Sequence, residues 1–362
     1  MLTIDLHAVT ANYRTLKVHA AQAECGAVVK SNGYGLGLSH IAHALLAAGC
    51  RTFFITNIEE GITLRQALAE RAPVVRIFVL SGPAPGAEGL IDAHDLIPVL
   101  STMDQIDQWA AHGRARGARP AAIKIDTGMT RLGLATSDVD TLAAAPDRLD
   151  GITLELVMSH LACADEPDNP WNSVQLAAFE SARAKLPATP ASLANSAGIM
   201  LGPEYQFDLV RPGAALYGIS TVQGRANTMA PVVTLEGKIL QIRHVDSKTP
   251  VGYGATRRVP AGRHLATVAV GYSDGYPRLL GNRGAGYVDN IRVPIVGRVS
   301  MDLVTFDVTD VPESRLRANG FINLIGPHYS IDDLAADADT IGYEILTRLG
   351  CRFRRVHVGG DG

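Results

Sequence analysis

Residues 26–56 read GAVVKSNGYGLGLSHIAHALLAAGCRTFFIT. Two short apolar runs, at 26–30 and 52–56, flank a segment from Leu38 in which apolar residues recur at spacings of three and four. That spacing is the period of an amphipathic helix, and short β-branched or aromatic runs bounded by glycine read as buried strands. A strand that passes through a helical crossover into another strand lies parallel to it.

The same alternation continues to about residue 220. The strand-like runs are GAVVK (26–30), TFFIT (52–56), RIFVLS (76–81), LIPVL (96–100), AAIKID (121–126), TLELVMS (153–159), ASLANS (191–196) and DLVRPG (208–213). Eight strands in roughly 200 residues favour an α/β fold in which a (β/α)8 TIM-type barrel closes, rather than an open sheet. The last run is the weakest of the eight, because Asp208 and Arg211 interrupt it. Beyond Gly218 the texture changes: TLEGKILQIRHV, HLATVAVGY, GYVDNIRVPIVGRVSMDLVTFDV and FINLIG are strand-like and broken by glycine and proline. Two domains are therefore expected, a barrel over 1–222 and a β-rich C-terminal domain over 223–362, the latter with a helical insert at SIDDLAADADTIGYEILTRLG.

Composition narrows the function. The chain has 362 residues, 47% apolar and 19% charged, so a large core is available. A net charge of −3 points to neither a nucleic-acid nor a membrane-surface partner. The four cysteines show no C-x-x-C spacing and read as reduced thiols of a cytoplasmic protein. The opening MLTIDLHAVTANYRTLK has no basic start and carries Asp5 in its first apolar stretch, so no secretory signal is expected. Asp332, Asp333, Asp337 and Asp339 lack the spacing of a calcium loop, and no metal site is expected.

In a barrel, reactive groups stand where strands end. Here those ends carry Lys30, Asp126 with Arg131, His160, Asn195-Ser196 and Arg211. A strand-end lysine commonly snorkels to solvent; one that forms a Schiff base must lose proton affinity through desolvation or neighbouring cations. Its flank SNGYGLG offers a flexible, close-approaching backbone and Tyr34, but matches neither G-x-G-x-x-G nor a P-loop. Ser196 could cap the helix that NSAGIM opens, and RPGAALYG offers the Gly213 and Ala214 amides. A lysine facing a phosphate grip suggests pyridoxal phosphate.

Ten segments, in order, carry a resemblance: IDLHAVTANY, AVVKSNGYG, KIDTGMTRLG, MSHLACADE, ANSAG, VRPGAALYG, VGYGATRR, VGYSDGYPR, VGRVSMDLVTFDV and IGYEILTRLG. They run almost from end to end and resemble the bacterial alanine racemases, pyridoxal 5'-phosphate enzymes built of a barrel and a β-domain. The resemblance implies interconversion of L- and D-alanine through an external aldimine, supplying D-alanine for peptidoglycan. It makes Lys30 the Schiff-base lysine and one base, and Tyr253 the other, delivered from the partner of a homodimer with shared active sites. It gives Tyr34, Ser196, Gly213, Ala214 and Tyr343 to the cofactor phosphate, and places His160, Asn195 and Arg211 about the ring. Arg131 and the Met301 backbone would hold the substrate carboxylate. Lys124 matches a lysine often carbamylated in the family, and Tyr272 and Arg278 would line the access path. Many members have His where this chain has Leu36, and Ala where it has Ser31 and Gly33.

Those assignments suit the chemistry. One base cannot easily reach both faces of a planar carbon, so two bases on opposite sides are the direct solution. An arginine against the pyridine nitrogen can only donate, which disfavours side reactions such as transamination. Decarboxylases of this architecture use an acid and a cysteine where this chain has Arg211 and Tyr253. A broad-specificity racemase and a non-catalytic cofactor carrier are the remaining alternatives, and a carrier would need neither Tyr253 nor Met301.

Overall fold

The computed structural model describes residues 1–20, 22–69, 75–317 and 319–360. Two compact units are present. One comprises Val9–Gly33 and Gly37–Met229; the other comprises Met1–Ala8, Tyr34–Leu36 and the chain from Ala230 onwards.

Strand β1 (Leu2–Asp5) belongs to the second unit. The first unit holds β2 (Glu24–Cys25), β3 (Ala27–Val28), β4 (Thr52–Ile55), β5 (Arg76–Val79), β6 (Ile97–Leu100), β7 (Arg119–Lys124), β8 (Ile152–Met158), β9 (Ala191–Ser192) and β10 (Leu209–Val210). β3 to β9 form one sheet in sequence order, every pair parallel. Helices such as Leu38–Ala47, Ile58–Leu68, Met103–Arg116 and Trp171–Arg183 make the crossovers. All four residues of β4 and of β6 are buried, which is why these strands read as unbroken apolar runs rather than alternating ones.

The weak eighth run closes the ring. Asp208 N donates to Ala191 O and Arg211 N to Ala194 O, both at 3.0 Å, which joins β10 to β9. β10 pairs in parallel with β2, and Gly26 N and Val28 N donate to Val210 O and Pro212 O. The first barrel strand is thus broken at Gly26, where a Cβ would stand 3.1 Å from both the Phe54 ring and Thr52 O. The charges that weakened the run bracket a buried Leu209-Val210 pair, and Asp208 is itself satisfied by the Ala191 N–H at 2.7 Å.

The second unit is built on β11 (Val233–Val245), which pairs antiparallel with β1, β14 and β18. Its other strands are β12 (Thr249–Val251), β13 (Arg257–Val259), β14 (Arg263–Ala269), β15 (Ala285–Val288), β16 (Ile291–Pro294), β17 (Val304–Asp307), β18 (Phe321–Ile325) and β19 (Arg355–Val358). Assigning residues 1–222 wholly to the barrel is corrected at its start: β1 lies between β11 and β19, antiparallel to one and parallel to the other. Its alternating buried and half-buried residues suit a sheet with one covered face. The helical insert is two short helices, Ile331–Asp337 and Gly342–Arg348, separated by Asp339 at φ 54°. Ser330 caps the first through a reciprocal pair with Asp333. Among the described residues no helix is long and apolar enough to cross a membrane.

Candidate active site

Lys30 follows β3 and opens a turn of unusual hand. Ser31, Asn32, Gly33 and Tyr34 all have φ between 54° and 62°. Only one of the four is glycine. At roughly 1–2 kcal/mol for each L-residue in this region, Ser31, Asn32 and Tyr34 store about 3–6 kcal/mol. Hydrogen bonds offset it: Gly33 N to Val29 O, Gly37 N to Asn32 O and Leu38 N to Asn32 Oδ1, all at 2.9 Å. The Asn32 side chain thereby caps the next helix, and the anticipated flexible loop is a defined left-handed turn. Burial lowers the proton affinity of Lys30, and the Arg131 charge lowers it further; Glu60 acts against both.

Lys124 ends β7 and is buried. Burial first, then Arg211 and Arg131, pull its pKa down to about 8. Asp126 builds the loop that carries Arg131: its Oδ1 accepts from the N–H groups of Gly128, Met129 and Thr130 at 2.9–3.1 Å. Burial pushes the Asp126 carboxyl upward, but these three donors outweigh it and hold its pKa below the usual value.

Arg211 is 3% exposed and has no carboxylate partner among the described residues. It donates to Ser192 Oγ, to Ser159 O at 2.5 Å and to Leu193 O at 3.4 Å. Its Nη2 lies 3.5 Å from His160 Nδ1. Burial brings the guanidinium pKa down to about 9. His160 is held well below its ordinary pKa by burial and then by Arg211, Lys124, Arg131 and Lys30. Behind it, the fully buried Gln175 donates to Thr127 Oγ1 and His160 O and accepts from Ala162 N, tying the loops after β7 and β8 together.

Ser196 does not cap the segment it opens. Asn195 Oδ1 takes the Gly198 N–H, while Ser196 Oγ accepts from Gly213 N at 2.8 Å and Ala215 N at 3.3 Å. Between those two, the amide of the buried Ala214 makes no hydrogen bond among the described residues. A buried N–H without a partner beside a serine hydroxyl is a donor set waiting for an anion.

In the second unit, the Tyr34 and Tyr343 rings stand 6.3 Å apart, and burial raises the Tyr34 pKa. Gly35 lies so close to the helix Gly342–Arg348 that a Cβ would be 2.6 Å from Leu346 O. Tyr253 sits at the tip of the β12–β13 hairpin, whose Val251 and Val259 pack with Val245, Leu265 and Val296. It is 72% exposed. Met301 is 53% exposed, and its carbonyl accepts from Ser273 N beside Tyr272. Arg278 opens the short turn Arg278–Leu280.

The profile described as "Alanine racemase, N-terminal domain" matches residues 4–221, and that described as "Alanine racemase, C-terminal domain" matches 232–357. The chain belongs to the alanine racemase family. An alanine racemase of Rhodospirillum rubrum is 53% identical over 361 residues, covering 99% of this chain and 96% of its own length. A catabolic alanine racemase of Mesorhizobium japonicum is 47% identical over 361 residues, covering 99% and 93%. The crystal structure of alanine racemase from Bartonella henselae with covalently bound pyridoxal phosphate is similar at a TM-score of 0.95 and 40% identity, with 99% of each chain covered.

Within this alanine racemase family member, the barrel unit gathers Lys30, Lys124, Arg131, His160 and Arg211 closely enough for their charges to act on one another. Asn195 bridges to Arg211, and Ser196 binds Gly213. Tyr34, Tyr253, Met301 and Tyr343 belong to the β-rich unit. Glu60, Gln175 and Ser192 were not singled out from sequence. Glu60 follows the N-cap Asn57 by three residues, a capping-box spacing that could have drawn attention to it.

Proposed function

We propose that this chain interconverts L- and D-alanine as a pyridoxal phosphate-dependent racemase, with Lys30 and Tyr253 as its two bases. The residues suit the cofactor. A half-buried amine of lowered proton affinity fits its aldehyde, and the Ser196 hydroxyl with the Ala214 amide fits its phosphate. Arg131 fits a substrate carboxylate, and we further assign Tyr34 and Tyr343 to the phosphate. When bound, the cofactor supplies an electron sink that acidifies the α-proton of the amino acid.

Each residue then has a task. Lys30 can move a proton at one face of the α-carbon because burial and Arg131 favour its neutral amine. Tyr253 serves the opposite face. Its exposure at a hairpin tip suits a side chain offered to the site of a second copy in a homodimer. Arg211 carries the reading: buried, donor-only and held by Ser159, Ser192 and Leu193, it suits a racemase rather than a decarboxylase. His160 receives an N–H from Arg211, so its neutral ring bears its proton on Nε2.

The deciding experiment is turnover of each alanine enantiomer in deuterated water by the purified chain with pyridoxal phosphate. Racemisation with α-deuterium gained in the product is expected; inversion without solvent exchange, or none at all, refutes the proposal. For the biological direction we favour supply of D-alanine to peptidoglycan. The names of relatives from Mesorhizobium japonicum and Agrobacterium fabrum favour a catabolic role instead. Rescue of a D-alanine auxotroph at native expression, against growth on D-alanine as carbon source, separates the two.

A further inference from the structure

We propose that Glu60 is a positioning residue for Lys30: its carboxylate clamps the left-handed turn to the neighbouring strand end and sets a negative charge against the amine. This rests on Lys30 being the cofactor anchor. Glu60 Oε1 accepts from Asn32 N at 3.2 Å, and Oε2 accepts from Thr56 N at 2.9 Å. One carboxylate therefore joins the ends of two adjacent strands, β3 and β4. It is itself fixed, because Glu60 N donates to Asn57 Oδ1 at the start of the helix Ile58–Leu68.

The clamp matters because the turn is strained. Gly33 finds a backbone acceptor in Val29 O, but among the described residues the Asn32 N–H has only the Glu60 carboxylate. Without it, the residue two after Lys30 loses the contact that holds its left-handed conformation. The charge matters because of what else surrounds the amine. Lys30 faces Arg131 from the loop built on Asp126, Lys124 at the end of β7 and His160 after β8, with the buried Arg211 behind them. Among the described residues, Glu60 is the counter-charge that strengthens its hold on a proton.

The two roles separate experimentally. Full-length protein is freed of cofactor with hydroxylamine, mixed with pyridoxal phosphate across a pH series, and reduced with borohydride. Attachment at Lys30 is then timed by peptide mass. The rate follows the neutral amine, so its midpoint reports the Lys30 pKa. Glu60→Gln keeps the size and one acceptor oxygen but removes the charge, and should lower that midpoint by roughly half a pH unit or more. Glu60→Ala also removes the clamp, and its plateau rate should fall about tenfold. Glu59→Gln, a neighbour of equal charge that does not touch the turn, should match the parent. A Glu60→Gln midpoint equal to the parent's overturns the electrostatic role, and a Glu60→Ala plateau equal to the parent's overturns the clamp. Should Glu60→Ala not fold, the plateau of Glu60→Gln, which loses one of the two clamp acceptors, decides instead: a plateau equal to the parent's overturns the clamp. A parent that attaches nothing at Lys30 refutes the anchor itself, and this inference with it.

Discussion

Arg211 Nη2 and His160 Nδ1 stand 3.5 Å apart at the barrel rim, and the guanidinium, which can only donate, fixes the imidazole as an acceptor. The same guanidinium also donates through Nη1 to Ser192 and through Nη2 to Ser159 and Leu193. A lysine ammonium at position 211 cannot span that set. Arg211→Lys should therefore lower stability by about 2 kcal/mol, the scale of a lost hydrogen bond to a charged group. Racemisation should fall at least about tenfold. Chemical denaturation and a coupled alanine assay measure both, and an unchanged rate would show that the fork geometry is dispensable.

Tyr253 makes the opposite prediction. Its side chain is exposed and no hydrogen bond holds its hydroxyl among the described residues, so Tyr253→Phe should melt within a degree or so of the parent. Cofactor attachment at Lys30 should be intact. Racemisation should drop by roughly 10²–10⁴, the usual loss of a general base. Retention of the original rate would remove Tyr253 from the mechanism.

With a pKa of about 8, Lys124 is neutral in about a tenth of molecules at pH 7. A neutral amine among Arg131, Arg211 and Lys30 is placed to add carbon dioxide, which would turn a crowded cation into an anion. Peptide mass spectrometry under native conditions should find Lys124 heavier by one carbon dioxide, with occupancy rising with bicarbonate and with pH through 8. The unmodified amine also has a stability signature. Between about pH 8 and its ordinary value the unfolded state holds a proton that the folded state has released, so stability rises across that window. Lys124→Met should flatten the rise in carbonate-free buffer.

His160 acts at the other end of the scale. Its folded pKa lies well below 6.5, so under acid the unfolded chain takes up a proton that the folded chain refuses. Stability should fall as pH drops below about 6.5, where the free imidazole titrates. His160→Asn should remove that share of the loss. Denaturation midpoints of the two proteins across the acid range test it, and parallel curves would mean that the imidazole is protonated in place.

Much of this architecture was legible because barrel strands such as β4 and β6 are short, buried on both faces and separated by helices of different period. TFFIT and LIPVL are nearly pure apolar runs for that reason. DLVRPG was faint because its charges answer to partners that only the closed ring supplies, the Ala191 amide for Asp208 and the Ser159 carbonyl for Arg211. Lys30, His160 and Arg211 drew attention as candidates because each follows a barrel strand. Their supports did not. Gln175 joins Thr127 to His160 across long loops, and no local pattern marks a glutamine facing inward. The hand of the turn after Lys30 was equally hidden, since serine, asparagine and tyrosine rarely adopt it in succession. The affiliation of β1 is settled by partners more than two hundred residues away.

That last pairing has a consequence for synthesis. Leu2 is registered against Leu235 on one side and Arg355 on the other, so β1 leaves the ribosome long before either of its partners. A nascent chain halted near residue 229 would carry every barrel strand while β1 hung unclaimed, with the Leu2 and Ile4 side chains uncovered. Moving LTID from ahead of the barrel to behind β19, on a linker of about a dozen residues that allows the parallel return, should shorten that wait and speed maturation.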